Sequence, residues 1–271
     1  IDGQRLLIAA AADGGIYALN VRTGLKVWGF QLSKRGINAS VVTDGYKIYA
    51  THSEENHDSL AMGRIVCIDG RGQGDVTGTH EIWRKDGVTS GYSSPILHAG
   101  RLYVLNNFGV LYCYDAQNGD EIWQYTVGRV GKGSPVWADN KLYVPVVNGN
   151  FAILEDTGDQ AKLLDNITFE SEHGVVELFG AVAISDGRVV FCTSEETICL
   201  GFKGDSQADT KKSMATHLQI RPGEILTRPG EKTAFSVVGF NQNGESLGEI
   251  KADWAYKGSG ASIDATGAFL P

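Results

Sequence analysis

GVLYCYDAQNGDEIW, residues 109–123, is the stretch on which the fold turns. An alternating apolar and polar run is followed by an Asn-Gly pair and a second run that reaches a tryptophan. Asn-Gly favours positive φ at the centre of a turn and so joins two antiparallel strands in a tight hairpin. The phrase recurs as GIYALNVRTGLKVW at 15–28 and as GRIVCID at 63–69, which returns to a tryptophan at Trp83. Weaker echoes stand at 149–159 (GNFAILEDTGD) and 196–202 (ETICLGF). A period near forty residues, each unit made of short strands, predicts an all-β fold: a β-propeller of four-stranded antiparallel blades.

The third unit shows the plan in full: SSPILH at 93–98, RLYVL at 101–105, VLYCYD at 110–115 and EIWQY at 121–125. GSPVW, NKLYVPV and NFAILE repeat the first three strands between 133 and 155, and FGAVAI, GRVVFC and TICLGF repeat them from 179. Trp28 and Trp83 stand fifteen residues further apart than Trp83 and Trp123, and two polar loops, 52–60 and 70–78, take up the excess. Loop tips tolerate such insertions, so the strands of unit two are expected to be undisturbed. Unit one runs from 1–3 straight into RLLIAA and lacks an opening strand; unit five lacks the fourth. The expectation is about five blades over 1–205, as part of a larger ring. A polar linker at 206–217 follows. Residues 218–271 alternate around Pro-Gly and Asn-Gly turns, which predicts a small antiparallel sandwich.

A net charge of −8 and the lack of a basic stripe argue against a nucleic-acid partner. The apolar run LLIAAAA at 6–12 is too short to span a bilayer, so no transmembrane segment is expected. Cys67, Cys113 and Cys199 fall in the slot of Ala18, where a small buried side chain is needed, and no CxxC pair suggests zinc or redox chemistry. Cys192 and Cys199 flank one hairpin, which leaves a bridge between them open. His98 is placed in a strand and His217 in the linker; HxH, HExxH and G-x-S-x-G patterns are missing.

The motif G-x-[LIV]-[YV]-[AC]-[LIY]-[DN], then T-G or N-G, then a tryptophan, resembles the pyrroloquinoline-quinone-type (PQQ-type), BamB-like repeat over residues 1–205. Such proteins include quinoprotein dehydrogenases and non-enzymatic propellers. The resemblance implies that Trp28, Trp83 and Trp123 pack between adjacent blades; unit four has no tryptophan, with Leu163 or Leu164 nearest. The tail resembles bacterial immunoglobulin-like domains through L-x-I-x-P at 218–222, PGE at 229–231, Trp254 and I-D-x-x-G-x-F at 263–269.

Loops entering the innermost strands supply the candidate channel-mouth residues: Arg35, Asn38, Tyr92, Arg129, Lys132, His173 and Glu177, with Ser93 and Glu172 beside them. They form no Glu, Asn and Asp set of the kind that holds calcium beside PQQ in the enzymes of this family. No catalytic residue, metal or cofactor is therefore expected. The resemblance implies a non-catalytic protein- or ligand-binding scaffold of the bacterial cell envelope, outside the cytoplasm. A PQQ- and calcium-dependent dehydrogenase fragment and an extracytoplasmic sensor domain are the alternatives.

Overall fold

A computed structural model describes residues 1–172, 174–185, 187–201, 214–241 and 246–271. All regular structure among them is β. The chain divides into two compact units, Ile1–Ala183 with Val189–Cys199, and Ile184–Arg188 with Leu200–Pro271.

The first unit is a β-propeller array. Blade 1 contains β1 (Leu6–Ala10), β2 (Gly15–Asn20) and β3 (Lys26–Gln31). Blade 2 contains β4 (Val42–Asp44), β5 (Lys47–Glu55), β6 (Met62–Asp69) and, after a detour through β7 (Gly74–Asp75), β8 (Glu81–Asp86). Blade 3 is β9 (Ile96–His98), β10 (Arg101–Leu105), β11 (Val110–Asp115) and β12 (Glu121–Thr126). Blade 4 is β13 (Val136–Ala138), β14 (Lys141–Pro145), β15 (Asn150–Asp156) and β16 (Ala161–Thr168). Blades 2 to 4 are complete four-stranded antiparallel meanders. A short pair, β17 (Glu170–Ser171) and β18 (Gly174–Val175), precedes a three-stranded sheet of β19 (Ala183–Ser185), β20 (Arg188–Cys192) and β21 (Thr197–Leu200).

The four strands of blade 2 are in place despite the two insertions, but neither insertion is wholly a loop. In the one at 70–78, β7 pairs in parallel with β3 of blade 1, Trp28 opposite Gly74 and Gly29 opposite Asp75. Among the described residues, blade 1 thus has no innermost strand and carries β7 as a fourth strand outside. The other insertion is partly strand, because β5 continues to Glu55 through an irregular register and pairs there with Met62.

The repeated glycine has a physical cause. Gly14, Gly63, Gly109 and Gly149 all have φ between 73° and 84°. A Cβ there would strike the backbone of the loop leaving the outermost strand: the Ser33 carbonyl at Gly14, the Val88 carbonyl at Gly63, Gly128 at Gly109 and the Phe169 carbonyl at Gly149. Each glycine carbonyl in turn accepts an N–H from that loop, as with Val127 on Gly109 at 2.9 Å. Only glycine combines that φ with so close an approach.

The tryptophans are explained by register. Trp28, Trp83 and Trp123 lie opposite Ala18, Cys67 and Cys113, and in each sheet the ladder slips by one residue at the next step. Ala18, Cys67 and Cys113 are fully buried, and burial pushes both thiols up to about 12, so they act as small apolar side chains. Each indole N–H donates to the same position of the following blade: Trp28 to the Gly70 carbonyl at 2.9 Å and Trp83 to the Ala116 carbonyl at 3.1 Å. At the third interface that position is Asp156, and Trp123 donates to its Oδ1 at 3.1 Å. Trp83 also presses on Gly119, where a Cβ would approach the ring to 2.6 Å.

Asp156 organises the junction between blades 3 and 4. Its side chain is 4% exposed and accepts from Arg101 Nη1 at 2.8 Å, Tyr103 Oη at 2.6 Å, Trp123 and the Gly158 N–H. Burial opposes its charge, but these donors and the Arg101 charge outweigh it and hold the carboxyl below the usual range.

Blade 4 differs from expectation at the tryptophan slot. Its slip lies between Ile153 and Leu154, so the equivalent residue is Asp165, opposite Ile153, and not Leu163 or Leu164. Both leucines are exposed. Cys199 is exposed too, in contrast to Cys67 and Cys113, and Cys192 and Cys199 are free thiols.

In the second unit, β22 (His217–Arg221), β24 (Ser236–Phe240) and β25 (Ser246–Ile250) form one antiparallel sheet. A second consists of β23 (Thr233–Ala234), β26 (Ser262–Ile263) and β27 (Ala268–Leu270). His217 therefore starts a strand; most of the expected linker, together with the Asn243-Gly244 turn, lies outside the described residues. Asp264 Oδ1 caps the turn before β27 by accepting from the Thr266 and Ala268 N–H groups, while Gly267, at φ 82°, lies against Trp254. Phe235, Tyr256 and Phe269 complete an edge-to-face aromatic cluster.

Trp83→Ala is expected to cost ~3–5 kcal/mol, as for other buried aromatic truncations, and Asp156→Ala ~3 kcal/mol because it leaves Arg101 unpaired. Urea titration of the first unfolding transition checks both. His52, buried in β5, is held neutral by burial, which lowers its pKa from 6.5 to about 4. Its contribution to stability is complete above pH 6.5 and is lost as the pH falls toward 4, because the unfolded chain binds the proton more readily. Unfolding free energies measured across that window should fall for the wild type and fall less for His52→Asn.

Candidate functional site

Loops leaving the outermost strand of one blade for the innermost strand of the next occupy one end of the blades, together with the turns between second and third strands. Backbone bonds tie the two sets: Lys34 N–H to the Glu55 carbonyl, Asn107 to Thr89, Gly131 to Asn107, Val147 to Val130 and Leu178 to Val147. A second chain of bonds links one loop to the next. The Ser40 N–H donates to Ser94 Oγ and the Ser94 N–H to Ser134 Oγ, both at 2.9 Å. Each of these serines stands two residues before its inner strand, which gives the repeated Ser-Pro a mechanical role.

One position in these loops recurs ahead of each of four inner strands. Asn38, Tyr92, Lys132 and Phe179 each lie four residues ahead of β4, β9, β13 and β19. Lys132 Nζ sits 5.5 Å from the Tyr92 ring centre and 4.8 Å from that of Phe179. Both rings are about half exposed, at 54% and 46%. Three consecutive loops therefore build an aromatic, cation, aromatic row. The loops come this close because Gly133 has no Cβ, which would stand 2.8 Å from the Gly180 carbonyl. Each cation–ring contact at such an exposed site contributes ~0.5–1 kcal/mol and above all fixes where the ammonium points.

The remaining predicted residues are placed separately. Arg35 and Glu55 form an exposed pair at 3.3 Å, which contributes ~0–1 kcal/mol. Asn38 and Arg129 are exposed. Glu177 is exposed and exchanges backbone-directed hydrogen bonds with Ser194 in the turn after β20. Ser93 is fully buried below the rim, and His173 lies outside the described residues. The row thus joins Tyr92 and Lys132 and adds Phe179, which sequence reasoning passed over in favour of the charged Glu177. The missed signal was spacing: the residue four before each inner strand, charged or not. Phe108 and Val130 are further exposed apolar residues in the loops and turns of this end.

Among the described residues no three His, Cys, Asp or Glu side chains are placed to share a metal ion. A calcium and quinone site at this rim would need several converging carboxylate and amide oxygens. The four equivalent positions offer one amide, a phenol, an ammonium and a phenyl ring, so the donor set does not fit, and no reaction step is derived through that group.

With this geometry in view, residues 61–162 match the family model described as outer membrane protein assembly factor BamB. Among solved structures, BamB from Moraxella catarrhalis superposes with a TM-score of 0.55 at 16% identity, over 91% of this chain and 72% of that one. A computationally designed protein matches with a TM-score of 0.55 at 13% identity, covering 73% of this chain and 55% of its own. A chain of the mitotic checkpoint complex matches at 0.56 and 12% identity, over 71% and 57%. No curated protein sequence is significantly similar. The first unit has a β-propeller fold, and its blades over residues 61–162 are PQQ-like and BamB-like. No helix among the described residues is long and apolar enough to cross a membrane.

If the rings hold the ammonium, replacing both Tyr92 and Phe179 by alanine should raise the rate of reductive methylation of Lys132 severalfold. Stability should change by less than ~0.5 kcal/mol, as for surface positions. Mass-spectrometric mapping of the modified lysines and thermal unfolding provide the two measurements.

Proposed function

We propose that this protein is a non-catalytic binding scaffold of the bacterial cell envelope, acting outside the cytoplasm, and that it engages a protein partner through the loop end of its blades. One observation carries the reading: equivalent positions of three successive loops are given to Tyr92, Lys132 and Phe179, with two half-exposed rings ordering one cation. Exposed aromatics about a fixed positive charge suit recognition of an acidic or aromatic protein segment, and aromatic residues are the usual anchors of such contacts. The resemblance to BamB supports the envelope location. Neither PQQ nor calcium takes part in this reading, and the second unit is an immunoglobulin-like module that extends the binding architecture.

Photo-crosslinking residues at positions 92 and 179, compared with one at the exposed Lys162 of β16, test the proposal in envelope fractions. Adducts to a discrete protein from the two loop positions, lost with Lys132→Glu, are expected. Equal labelling from all three sites overturns it, as does dye reduction with alcohols or sugars after addition of PQQ and calcium.

A further inference from the structure

Blade 2 carries two insertions that blades 3 and 4 do without, and both run to one cavity of about 380 Å³. That volume lies within the range of small-ligand sites. His57 and Asp58 wall it from the first insertion and Gly78 from the second, between Phe30 of β3 and the strands β6 and β8. Every wall therefore comes from residues between Phe30 and Arg84. Arg64, the β6 residue of this lining, breaks the repeat: it follows Gly63 at the place that Gly15, Val110 and Asn150 take after Gly14, Gly109 and Gly149.

The Arg64 side chain is 5% exposed. Its Nε donates to Asp86 Oδ1 at 2.6 Å and its Nη2 to Asp58 Oδ1 at 2.5 Å. Nη1 has no hydrogen-bond partner among the described residues and is not sealed from solvent, which leaves its N–H groups to the cavity that Arg64 lines. The surroundings are fixed before any ligand arrives. Asp58 accepts from Arg84 on its second oxygen, and the buried Asn56 amide donates to the Ala61 and Gly63 carbonyls. His57 Nε2 donates to the Ser33 carbonyl at 3.0 Å, so in the neutral ring Nδ1 keeps a free lone pair. Such preorganisation lowers the cost of ordering a site on binding.

We propose that this cavity, built by the two insertions of blade 2, binds a neutral sugar ring. Charge decides the ligand class. Two guanidiniums, Arg64 and Arg84, already face three carboxylates, Asp58, Asp86 and Glu81. An anion adds a fourth negative charge to that set, and a cation meets carboxylates already spent on arginine. A hydroxyl group both donates and accepts, so it pairs with the donor-only Arg64 Nη1 and with acceptors at His57 Nδ1 and Glu81 alike. A rigid ring carrying several hydroxyls uses donors and acceptors fixed on three sides of the cavity, and the buried Phe30 gives its apolar face a floor.

Methyl glucoside, methyl galactoside and N-acetylglucosamine are the probes, titrated into nitrogen-labelled protein while the Nε–H magnetic-resonance signals of Arg64 and Arg84 are followed. At least one probe should shift both signals and saturate with a Kd of ~1 mM or lower. Glycerol, acetate and phosphate should leave them in place. Gly78→Phe, which sets a ring where a Cβ meets open space, should weaken binding at least ~10-fold at an unchanged melting temperature, and Glu81→Ala severalfold. The proposal is overturned if none of the three sugars gives a saturable shift, or if glycerol, acetate or phosphate shifts the signals as far. Sugar binding that Gly78→Phe leaves intact also overturns it, because the ligand then sits elsewhere.

Discussion

The structure depends on an indole N–H that crosses from one blade to the next. A four-stranded blade has two apolar faces and can cover neither alone, so neighbouring blades must interlock at a defined offset. Trp28, Trp83 and Trp123 set that offset by donating to positions 70, 116 and 156, which are equivalent in successive blades. The ring supplies buried area and the N–H supplies direction. Where the acceptor is a backbone carbonyl, the contact is a packing joint with one polar tether. Where it is the Asp156 carboxylate, Arg101 and Tyr103 join the same acceptor and the joint becomes a buried ionic network. Such a network tolerates the loss of no single member well.

How far these features are legible in the sequence follows from how local their causes are. Strands and hairpins are dictated by alternation and by turn residues within a dozen positions, so blades 2 to 4 can be read directly from GVLYCYD, the Asn-Gly pair and the forty-residue spacing. The tryptophan slot of blade 4 cannot be read the same way. A ladder slip between Ile153 and Leu154 decides whether Leu163, Leu164 or Asp165 fills it, and no residue type announces a slip. The exposure of Cys199 belongs to the same class, because burial depends on a neighbouring sheet and not on the strand that bears the residue. The pairing of Gly74 and Asp75 with blade 1 is less legible still, being a contact between an insertion and another repeat.

The rim shows a different kind of partial legibility. Tyr92 and Lys132 attract notice by their chemistry, and Arg35 and Glu177 do so equally, yet only the first two are brought together. A repeat scaffold presents its loops at fixed intervals, so position relative to the inner strand predicts convergence better than charge does. Phe179 is at that position and Glu177 is two residues before it. The Ser40, Ser94 and Ser134 bonds make the rule physical, since they hold successive loops in step along the rim.

The two-residue strand β7 bears on the outer margin of the array. β8, β12 and β16 put Arg84 and Lys85, Glu121, and Lys162 and Asp165 on strands that end their blades. β3 reads KVWGFQ and, like β12 (EIWQYT), carries a charge only at its first residue, but it alone of the four buries three successive residues, Trp28 to Phe30. An apolar edge of this kind is a template for unwanted association with other chains, and short, charged or covered edges are the usual remedy. Gly74 and Asp75 cover β3 with a segment too brief to recruit a further strand, and Asp75 places a carboxylate there. An insertion in one repeat thereby becomes the outer edge of its neighbour, a margin two residues long in place of six.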